Sequence, residues 1–433
     1  MARERQVLLR GGTVVDSTGS RLADVLVKGE VVVAVEAPGQ SSEAPPGALA
    51  LDAEGCAVAP GLVDLHAHLR EPGMEEAETI ETGSRAAALG GYTAVVAMPN
   101  TQPAADCAAV IRQVLELAKS ACCDVRPAGA ITVGREGKVL APMAEMAAMG
   151  VRVFTDDGTG VQSAALMRRA LEYATALGAV IADHCEDASL AGNGCMNEGQ
   201  VSSLLGLLGR PAVSEEVMVL RDIALARLTG GRLHLLHVTT ADALQAVRLA
   251  KAAGVPVTAE VTPHHLALTE EALRGYETVY KVNPPLRTLR DVVALRGALS
   301  EGTVDAIATD HAPHPPEAKD TSICDAAPGV VGLETALSVC LTELQLPLGT
   351  VLALMSWSPA KIAGLHPAHG GPIVAGAPAN LCVVDLAKEW VVRPEQMASR
   401  SRNTPFAGRR LKGKVRHTLL AGEPVVVNEE PQR

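Results

Sequence analysis

The sequence predicts an α/β protein, a (β/α)₈ TIM-type barrel with a small discontinuous β-sandwich domain built from both termini. The first observation is length, because 433 residues exceed one ordinary domain and fit a barrel of roughly 250–300 residues with an accessory unit. The second is that the two ends of the chain share one β-rich texture. The third is that the middle alternates helical stretches with short apolar strands.

Short runs rich in Val and Leu, broken by Gly, Pro and Ser, occupy both ends of the chain. The N-terminal runs are QVLLRGGTVVDSTG, ADVLVKGEVVVAVE and ALALDAEGCAVAPG, and the C-terminal runs are ANLCVVDL, EWVVRP and HTLLAGEPVVVNE. Two β-rich ends around a different middle indicate one domain in which both termini pack together. We therefore expect residues 1–58 and 369–433 to form the β-domain, and residues 59–368 to form the barrel.

The middle of the chain repeats one unit, a helical stretch followed by a glycine and a short apolar strand. SRAAALGG precedes YTAVVAMPN, ALMRRALEYATALG precedes AVIADHCED, and DVVALRGALSEG precedes TVDAIATDHAPH. Gly178 and Gly302 stand where a helix needs a left-handed C-terminal cap. With GLVDLHAH before the series and DVRPAGAIT within it, the strands number eight, as a closed barrel requires.

Composition excludes several classes of function. The net charge of −11 without a long basic run argues against a nucleic-acid partner, and aromatic residues at 2% are too few for base stacking. No unbroken apolar stretch reaches the length of about 18 residues that a membrane span needs. The charged start of the chain is unlike a signal peptide. Nine cysteines without C-x-x-C spacing are typical of reduced thiols, so we expect a cytoplasmic enzyme.

Polar residues collect at or just after the ends of the predicted strands. In a barrel, every strand ends at the same rim, where active sites form. Residues far apart along the chain should therefore meet in one pocket. The residues at these strand ends are His66, His68, Asn100, Asp157, His184, His237, His264 and Asp310.

Several of these side chains have the chemistry of metal ligands. His66 and His68 are two residues apart in a strand, so both imidazoles face the same side. Taken singly, each histidine could equally be a hydrogen-bonded core or rim residue. Four histidines and two aspartates at the strand ends are together enough to bind two metal ions about 3.5–4 Å apart. Such a pair lowers the pKa of a bridging water and polarises a carbonyl. Spacing alone does not choose between Asp156 and Asp157 in TDDG.

The same segments carry a family resemblance. In order along essentially the whole chain, DLHAHLREPG, AMPNT, FTDDG, ADHCED, LHVTT, EVTPHH, KVNPPLR and ATDHAPH resemble bacterial class I dihydroorotases of the amidohydrolase superfamily. LREPG and NPPLR are not general features of that superfamily. No lysine lies between Gly150 and Gly158, so the chain resembles the subset that bridges its metals with aspartate rather than with a carbamylated lysine.

The resemblance implies one or two Zn²⁺ per chain, with two expected, and a set of ligands for them. The implied ligands are His66, His68 and Asp310 for the more buried zinc, His184 and His237 for the second, and Asp157 between them. It also implies a set of substrate contacts. These are Arg70, Asn100 and His314 for the substrate carboxylate, Asn283 for the pyrimidine ring, and the backbone at Pro328 and Gly329.

The activity implied is the reversible cyclisation of N-carbamoyl-L-aspartate to dihydroorotate in de novo pyrimidine (UMP) biosynthesis. A bridging hydroxide would attack the ring amide carbonyl, with Asp310 as the general acid and base. The alternatives are a hydantoinase or allantoinase, and a non-catalytic scaffold for aspartate carbamoyltransferase. Expected partners are the small-molecule substrate, a second copy in a homodimer, and that carbamoyltransferase.

The segment at residues 315–328, PPEAKDTSICDAAP, is polar, bounded by proline and without periodicity. A long loop beside a barrel rim is either a lid over the site or a plain surface loop, and the sequence does not choose between them. Cys324 lies on this segment, where we expect an exposed and oxidisable thiol.

Overall fold

The computed structural model describes residues 5–39 and 47–433. Nine strands from the two ends of the chain form one sheet. The central contact is antiparallel pairing between Cys56–Pro60 and Leu381–Val391, in which Val58 lies opposite Val383. The strands of this sheet are Gln6–Asp16, Gly19–Lys28, Val31–Glu36, Leu49–Asp52, Cys56–Pro60, Leu381–Val391, Arg410–Leu420, Glu423–Val427 and Glu430–Pro431.

Eight short strands form the barrel, and neighbouring strands are parallel throughout. Isolated parallel bridges close the ring, Gly129 with Phe154 between strands 3 and 4, and Ala67 with His311 between strands 8 and 1. In chain order, barrel strands 1 to 8 are Leu62–Ala67, Tyr92–Ala97, Asp124–Pro127, Val153–Phe154, Val180–Asp183, Leu233–Leu235, Val257–Val261 and Ala306–Ile307.

One helix follows each barrel strand. These helices are Ile80–Leu89, Ala108–Leu117, Met143–Ala148, Ala164–Leu177, Val213–Thr229, Ala241–Ala252, Leu289–Ser300 and Ala336–Glu343. Their ends follow local chemistry: the hydroxyl of Ser163 accepts the amide of Leu166 at the start of the fourth helix, and Gly178 ends it in the left-handed conformation.

Shorter helices and strands lie in the connections between the main elements of the barrel. The short helices are Ala188–Ala191, Gln200–Leu205, Pro263–Ala267, Pro316–Lys319, Leu348–Leu352 and Ser358–Ile362, and Met196–Asn197 pairs with Gly209–Arg210. Over residues 5–39 and 47–433, none of the helices combines the length and the apolar character that crossing a bilayer requires.

Strand alternation gives the terminal sheet two buried faces. Cys56 and Val58 pack into the core of the β-domain, whereas Ala57 and Ala59 from the same strand pack into the core shared with the barrel. The terminal sheet is therefore fixed to the barrel by one face and carries its own core on the other. The predicted combination of a closed barrel and a sheet drawn from both termini is present; the domain limits at 58/59 and 368/369 stay a prediction.

Candidate metal centre

The carboxyl ends of five barrel strands place the six predicted ligands close together. His66 lies in strand 1, and the others follow strands 1, 4, 5, 6 and 8 within a few residues. All six side chains are buried, with exposures between 0% and 7%. The six residues are His66, His68, Asp157, His184, His237 and Asp310.

Two histidines and two aspartates form the first half of the site. His66 Nε2 lies 3.3 Å from Asp157 Oδ1 and 3.5 Å from Asp310 Oδ1. His68 Nε2 lies 3.5 Å from Asp157 Oδ2 and 3.1 Å from Asp310 Oδ1. Two imidazoles and two carboxylates thus converge on one point, which is the donor set of a metal ion that binds nitrogen and oxygen.

The second half of the site shares Asp157 with the first. His184 Nδ1 and His237 Nε2 each lie 3.6 Å from Asp157 Oδ1, and they lie 2.9 Å from each other. Within each of the trios His66–His68–Asp157 and Asp157–His184–His237, the donor atoms lie within 4.8 Å of one another. A carboxylate that belongs to both trios can bridge two ions.

The neighbouring aspartate faces another way. Asp156 Oδ1 accepts the backbone amides of Ile131 at 2.8 Å and Thr132 at 3.1 Å, and the Thr132 hydroxyl donates to Oδ2. Asp156 therefore ties the loop after strand 3 to strand 4, and the geometry selects Asp157 as the residue that faces the imidazoles.

Hydrogen bonds on the outer side of the rings fix the tautomers of His66 and His68. His66 Nδ1 lies 2.9 Å from Glu260 Oε1, and His68 Nδ1 lies 2.9 Å from Asn100 Oδ1. Both oxygens accept, so each Nδ1 must carry a proton, and each Nε2 faces the aspartates, with a lone pair free for a metal ion whenever no second proton is bound there. Within the part of the chain that the structure describes, the buried Nε2 of His66 has no hydrogen-bond partner.

Lone pairs and carboxylates that face one another repel unless a cation lies between them. Burial opposes charge on His66, yet the carboxylates of Asp157 and Asp310 raise the pKa of His66 well above its ordinary value. In turn, burial raises the pKa of Asp157, but the positive charge of His66 outweighs burial and holds that pKa well below its usual range. The site thus favours positive charge at its centre, and the residues present fit a metal pair.

Backbone strain concentrates here. Arg70, His237 and Asp310 have φ angles of 62°, 30° and 46°. Residues other than glycine rarely adopt this left-handed backbone conformation. Such residues cost about 1–3 kcal/mol each and persist where the surroundings hold them for function.

Arg70 and His314 lie together beside the centre. The Nε of Arg70 donates to the carbonyl of Pro313 at 3.2 Å, and an Arg70 terminal nitrogen lies 3.4 Å from His314 Nε2. His314 Nε2 is 2.9 Å from the carbonyl of Pro328. Burial and the adjacent Arg70 charge lower the pKa of His314 to about 3, so the ring is neutral and its Nε2–H donates to Pro328.

The other predicted substrate contacts have partners of their own. Asn283 Oδ1 accepts Arg210 at 2.6 Å, and its Nδ2 lies 3.4 Å from His184 Nε2. The amide of Gly329 donates to the carbonyl of Lys281 at 2.9 Å. Gly329 has a φ of 140° and lacks space for a Cβ, which would lie 2.6 Å from that of Ala312. Asn283 thus lies against a candidate metal ligand and Gly329 lies beside His314, with the Gly329 amide already engaged.

His264, which the sequence grouped with the rim residues, joins neither trio. It lies in the short helix Pro263–Ala267 and is buried, and among the residues that the structure describes its Nε2 has no hydrogen-bond partner. Burial lowers its pKa to about 4.

The sequence analysis missed Glu260 and Arg210. Glu260 accepts from His66 and, at 3.0 Å, from His234 Nε2, and these bonds lower its pKa to about 2 against the effect of burial. A charged residue within the apolar strand VTAEV was the signal that could have found it. Arg210 donates to both oxygens of Glu186, at 2.9 and 2.8 Å, and to Asn283. It lies in the short strand Gly209–Arg210, in the connection that follows barrel strand 5, where no sequence pattern marks it.

Comparison with known proteins shows the family of this chain. A family model described as Dihydro-orotase-like matches residues 55–243. The dihydroorotase of Streptomyces coelicolor is 52% identical over 431 residues, covering 98% of this chain and 99% of its own. The chain belongs to the dihydroorotase family. Further dihydroorotases from Anaeromyxobacter dehalogenans and Pelotomaculum thermopropionicum are 50% and 48% identical, and each covers at least 97% of this chain and 98% of its own.

Solved structures extend the likeness beyond the dihydroorotases. The L-hydantoinase (dihydropyrimidinase) from Arthrobacter aurescens is 26% identical with a TM-score of 0.86, covering 99% of this chain and 97% of its own. The D-hydantoinase from Thermus sp. is also 26% identical, with a TM-score of 0.84 and coverage of 98% and 96%. The family assignment and the barrel with its terminal β-domain are thereby confirmed.

Proposed function

We propose that this chain is a dihydroorotase, a cyclic amide hydrolase that interconverts N-carbamoyl-L-aspartate and dihydroorotate in pyrimidine biosynthesis. Relatives with that name at about 50% identity over nearly the whole chain support the reaction. The observation that carries the choice of substrate is Arg70. It places a buried positive charge next to a metal centre.

The surroundings of Arg70 call for an anion. Arg70 is 9% exposed; its Nε donates to the carbonyl of Pro313, and a terminal nitrogen lies 3.4 Å from the neutral ring of His314. Among residues 5–39 and 47–433, no carboxylate lies within ion-pair distance of its guanidinium. A buried cation of this kind is stabilised by a bidentate carboxylate, which both dihydroorotate and carbamoyl aspartate supply. Hydantoin and allantoin have no carboxylate to offer.

We propose two zinc ions as the metals, with His66, His68 and Asp310 on one, His184 and His237 on the other, and Asp157 between them. When bound, such a pair supplies a water of lowered pKa and polarises a carbonyl. The donor set of imidazoles and carboxylates supports zinc.

The protein groups position the substrate and move the proton. Arg70 and Asn100 hold the carboxylate, and the neutral His314 joins them by turning its Nε2–H from the Pro328 carbonyl to the carboxylate. Asn283 lies beside His184, where it contacts the ring. In hydrolysis Asp310 accepts the proton that the attacking water releases and delivers it to the leaving ring nitrogen. Cyclisation runs the same transfer backwards. Asp310 Oδ1 lies 3.1 Å from His68 Nε2, which keeps this carboxylate beside the candidate metal ligands in both directions.

The test is an assay of the purified full chain with metal quantified in the same sample. Dihydroorotate, hydantoin and allantoin are offered separately, and cyclisation of carbamoyl aspartate is measured in parallel. We expect turnover of dihydroorotate in both directions and about two zinc ions per chain. Faster turnover of hydantoin or allantoin would contradict the substrate assignment, and a metal-free inactive chain would point to the scaffold instead.

Location and assembly are proposed on chemical grounds. All nine cysteines are free thiols, which supports a cytoplasmic location. A homodimer and a complex with aspartate carbamoyltransferase stay predictions, and size-exclusion chromatography with and without the carbamoyltransferase checks both.

A further inference from the structure

Two cysteines far apart in the sequence meet near the candidate substrate contacts. The sulfurs of Cys195 and Cys324 lie 3.3 Å apart, although the residues are separated by 129 positions. Cys195 is buried and Cys324 is exposed. A small side-chain movement would bring the two sulfurs to the bonding distance of about 2.05 Å.

Each cysteine lies on a segment that reaches the candidate substrate contacts. Cys324 belongs to residues 315–328, where its carbonyl accepts Lys281 Nζ at 2.8 Å, and this segment ends at Pro328, the partner of His314. On the other side, the carbonyl of Gly194 accepts Arg210 Nε at 2.6 Å.

Arg210 continues the second segment into the site, because it also donates to Asn283, which lies against His184. One cysteine is therefore linked to the carboxylate side of the pocket and the other to the ring side. A covalent bond between them would tie the two sides together.

We propose that Cys195 and Cys324 form a reversible disulfide that fastens residues 315–328 to the segment around Cys195 and lowers turnover. The oxidant is a low-molecular-weight disulfide. The Cys324 thiolate attacks it, forms a mixed disulfide and releases one thiol. The Cys195 thiolate then attacks the Cys324 sulfur and expels the second thiol. Two protein thiols and one small disulfide thus become one protein disulfide and two small thiols.

The environment assigns the order of these steps. Cys324 is exposed and meets the oxidant first, whereas burial and the hydrogen bond with Cys324 raise the pKa of Cys195. The positive charge of Lys281 acts on Cys195 in the opposite direction and favours its thiolate for the second step. In a reducing compartment, a bond of this kind forms transiently and reports oxidation.

Turnover falls because residues 315–328 end against the candidate substrate contacts. Pro328 accepts from His314 Nε2, which lies beside Arg70, so we expect this segment to move as substrate enters and product leaves. A tether between the two sides resists that movement. The bond itself does not depend on the reaction catalysed, whereas its effect on turnover rests on the proposed function.

The experiment uses the metal-loaded full chain, reduced and then incubated with oxidised glutathione. Peptide mapping without reductant detects the Cys195–Cys324 link, hydrogen exchange follows residues 315–328, and dihydroorotate turnover is measured before and after dithiothreitol. We expect the linked peptide, slower exchange in the segment, and a loss of turnover that dithiothreitol restores.

Matched variants separate this bond from other oxidation. Cys324→Ser, at an exposed position expected to fold, should keep its turnover in oxidised glutathione, and Cys107→Ser, a partly exposed cysteine elsewhere, should lose turnover as the unaltered chain does. Glutathione left on Cys324 without a link to Cys195 would overturn the proposal, as would a link that leaves turnover unchanged. If the reduced chain has no dihydroorotase activity, the proposed function fails while mapping and exchange still decide whether the bond forms and stiffens the segment.

Discussion

Replacing Asp157 by asparagine tests the metal centre most directly. Its two carboxylate oxygens lie between 3.3 and 3.6 Å from four imidazole nitrogens, those of His66, His68, His184 and His237. Asparagine keeps the shape but removes the charge and one acceptor, so both ions would lose their shared ligand. If this removes about 4 kcal/mol of transition-state stabilisation, kcat/KM falls roughly a thousandfold.

The adjacent residue provides a matched control. Asp156→Asn changes the same chemistry one position away, where the carboxylate accepts two backbone amides and the Thr132 hydroxyl. An amide group turned toward those donors loses charge-assisted hydrogen bonds, at a cost of about 3 kcal/mol in the free energy of unfolding. We therefore expect Asp156→Asn to be less stable with its metal retained, and Asp157→Asn to be folded with its metal depleted.

The assays are metal analysis, urea unfolding and dihydroorotate turnover on both variants. The reasoning is refuted if Asp157→Asn retains two ions and near-normal kcat/KM. It is equally refuted if the two variants exchange their phenotypes, with metal lost from Asp156→Asn and stability lost from Asp157→Asn.

Three further predictions follow from the surrounding contacts. Glu260→Gln weakens the acceptor that orients both His66 and His234, so metal affinity measured by chelator competition should fall about 10–100-fold, and unchanged affinity would contradict the orienting role. Arg70→Met should lower kcat/KM for dihydroorotate roughly a hundredfold through loss of a charged contact of about 3 kcal/mol, and an unaffected kcat/KM would remove Arg70 from substrate binding. Folding lowers the pKa of His314 from the ordinary value of 6.5 to about 3. Between these two pH values the imidazole is protonated in the unfolded chain and neutral in the folded chain. Stability therefore falls as pH drops through that window, by up to about 2 kcal/mol at pH 5, and urea unfolding at pH 7 and 5 should show this loss reduced in His314→Gln.

Much of the fold could be predicted because its signals are local and periodic. Apolar strands separated by amphipathic stretches specify a parallel barrel even where the strand is only two residues long, as in Val153–Phe154 and Ala306–Ile307. Once the strands are placed, the barrel rule brings His66, His184 and Asp310 to one rim whatever their separation in sequence.

The rest depends on side-chain directions that no spacing encodes. Asp156 and Asp157 are neighbours of the same type, and only the turn of the backbone decides which carboxylate faces the histidines. Arg210 reaches Asn283 from a short strand in the connection after barrel strand 5. Cys195 contacts Cys324 although the two are 129 positions apart and no periodic pattern relates them. Such contacts arise when separate connections pack over the rim, so they become visible only in three dimensions.

The sheet shared by the two termini has a consequence for biosynthesis. The strand that contains Val58 cannot pair with its neighbour until Val383, about 325 residues later, has been synthesised. At about 5–20 residues per second on the ribosome, the delay amounts to tens of seconds. During that interval the barrel begins to fold while the strand Cys56–Pro60 lacks its partner from the C-terminal part of the chain. An unpaired strand edge of this kind can pair with another chain and cause aggregation. Moving the first five strands behind the last one by circular permutation would shorten the wait, and the soluble yield of such a permutant would measure what the natural order costs.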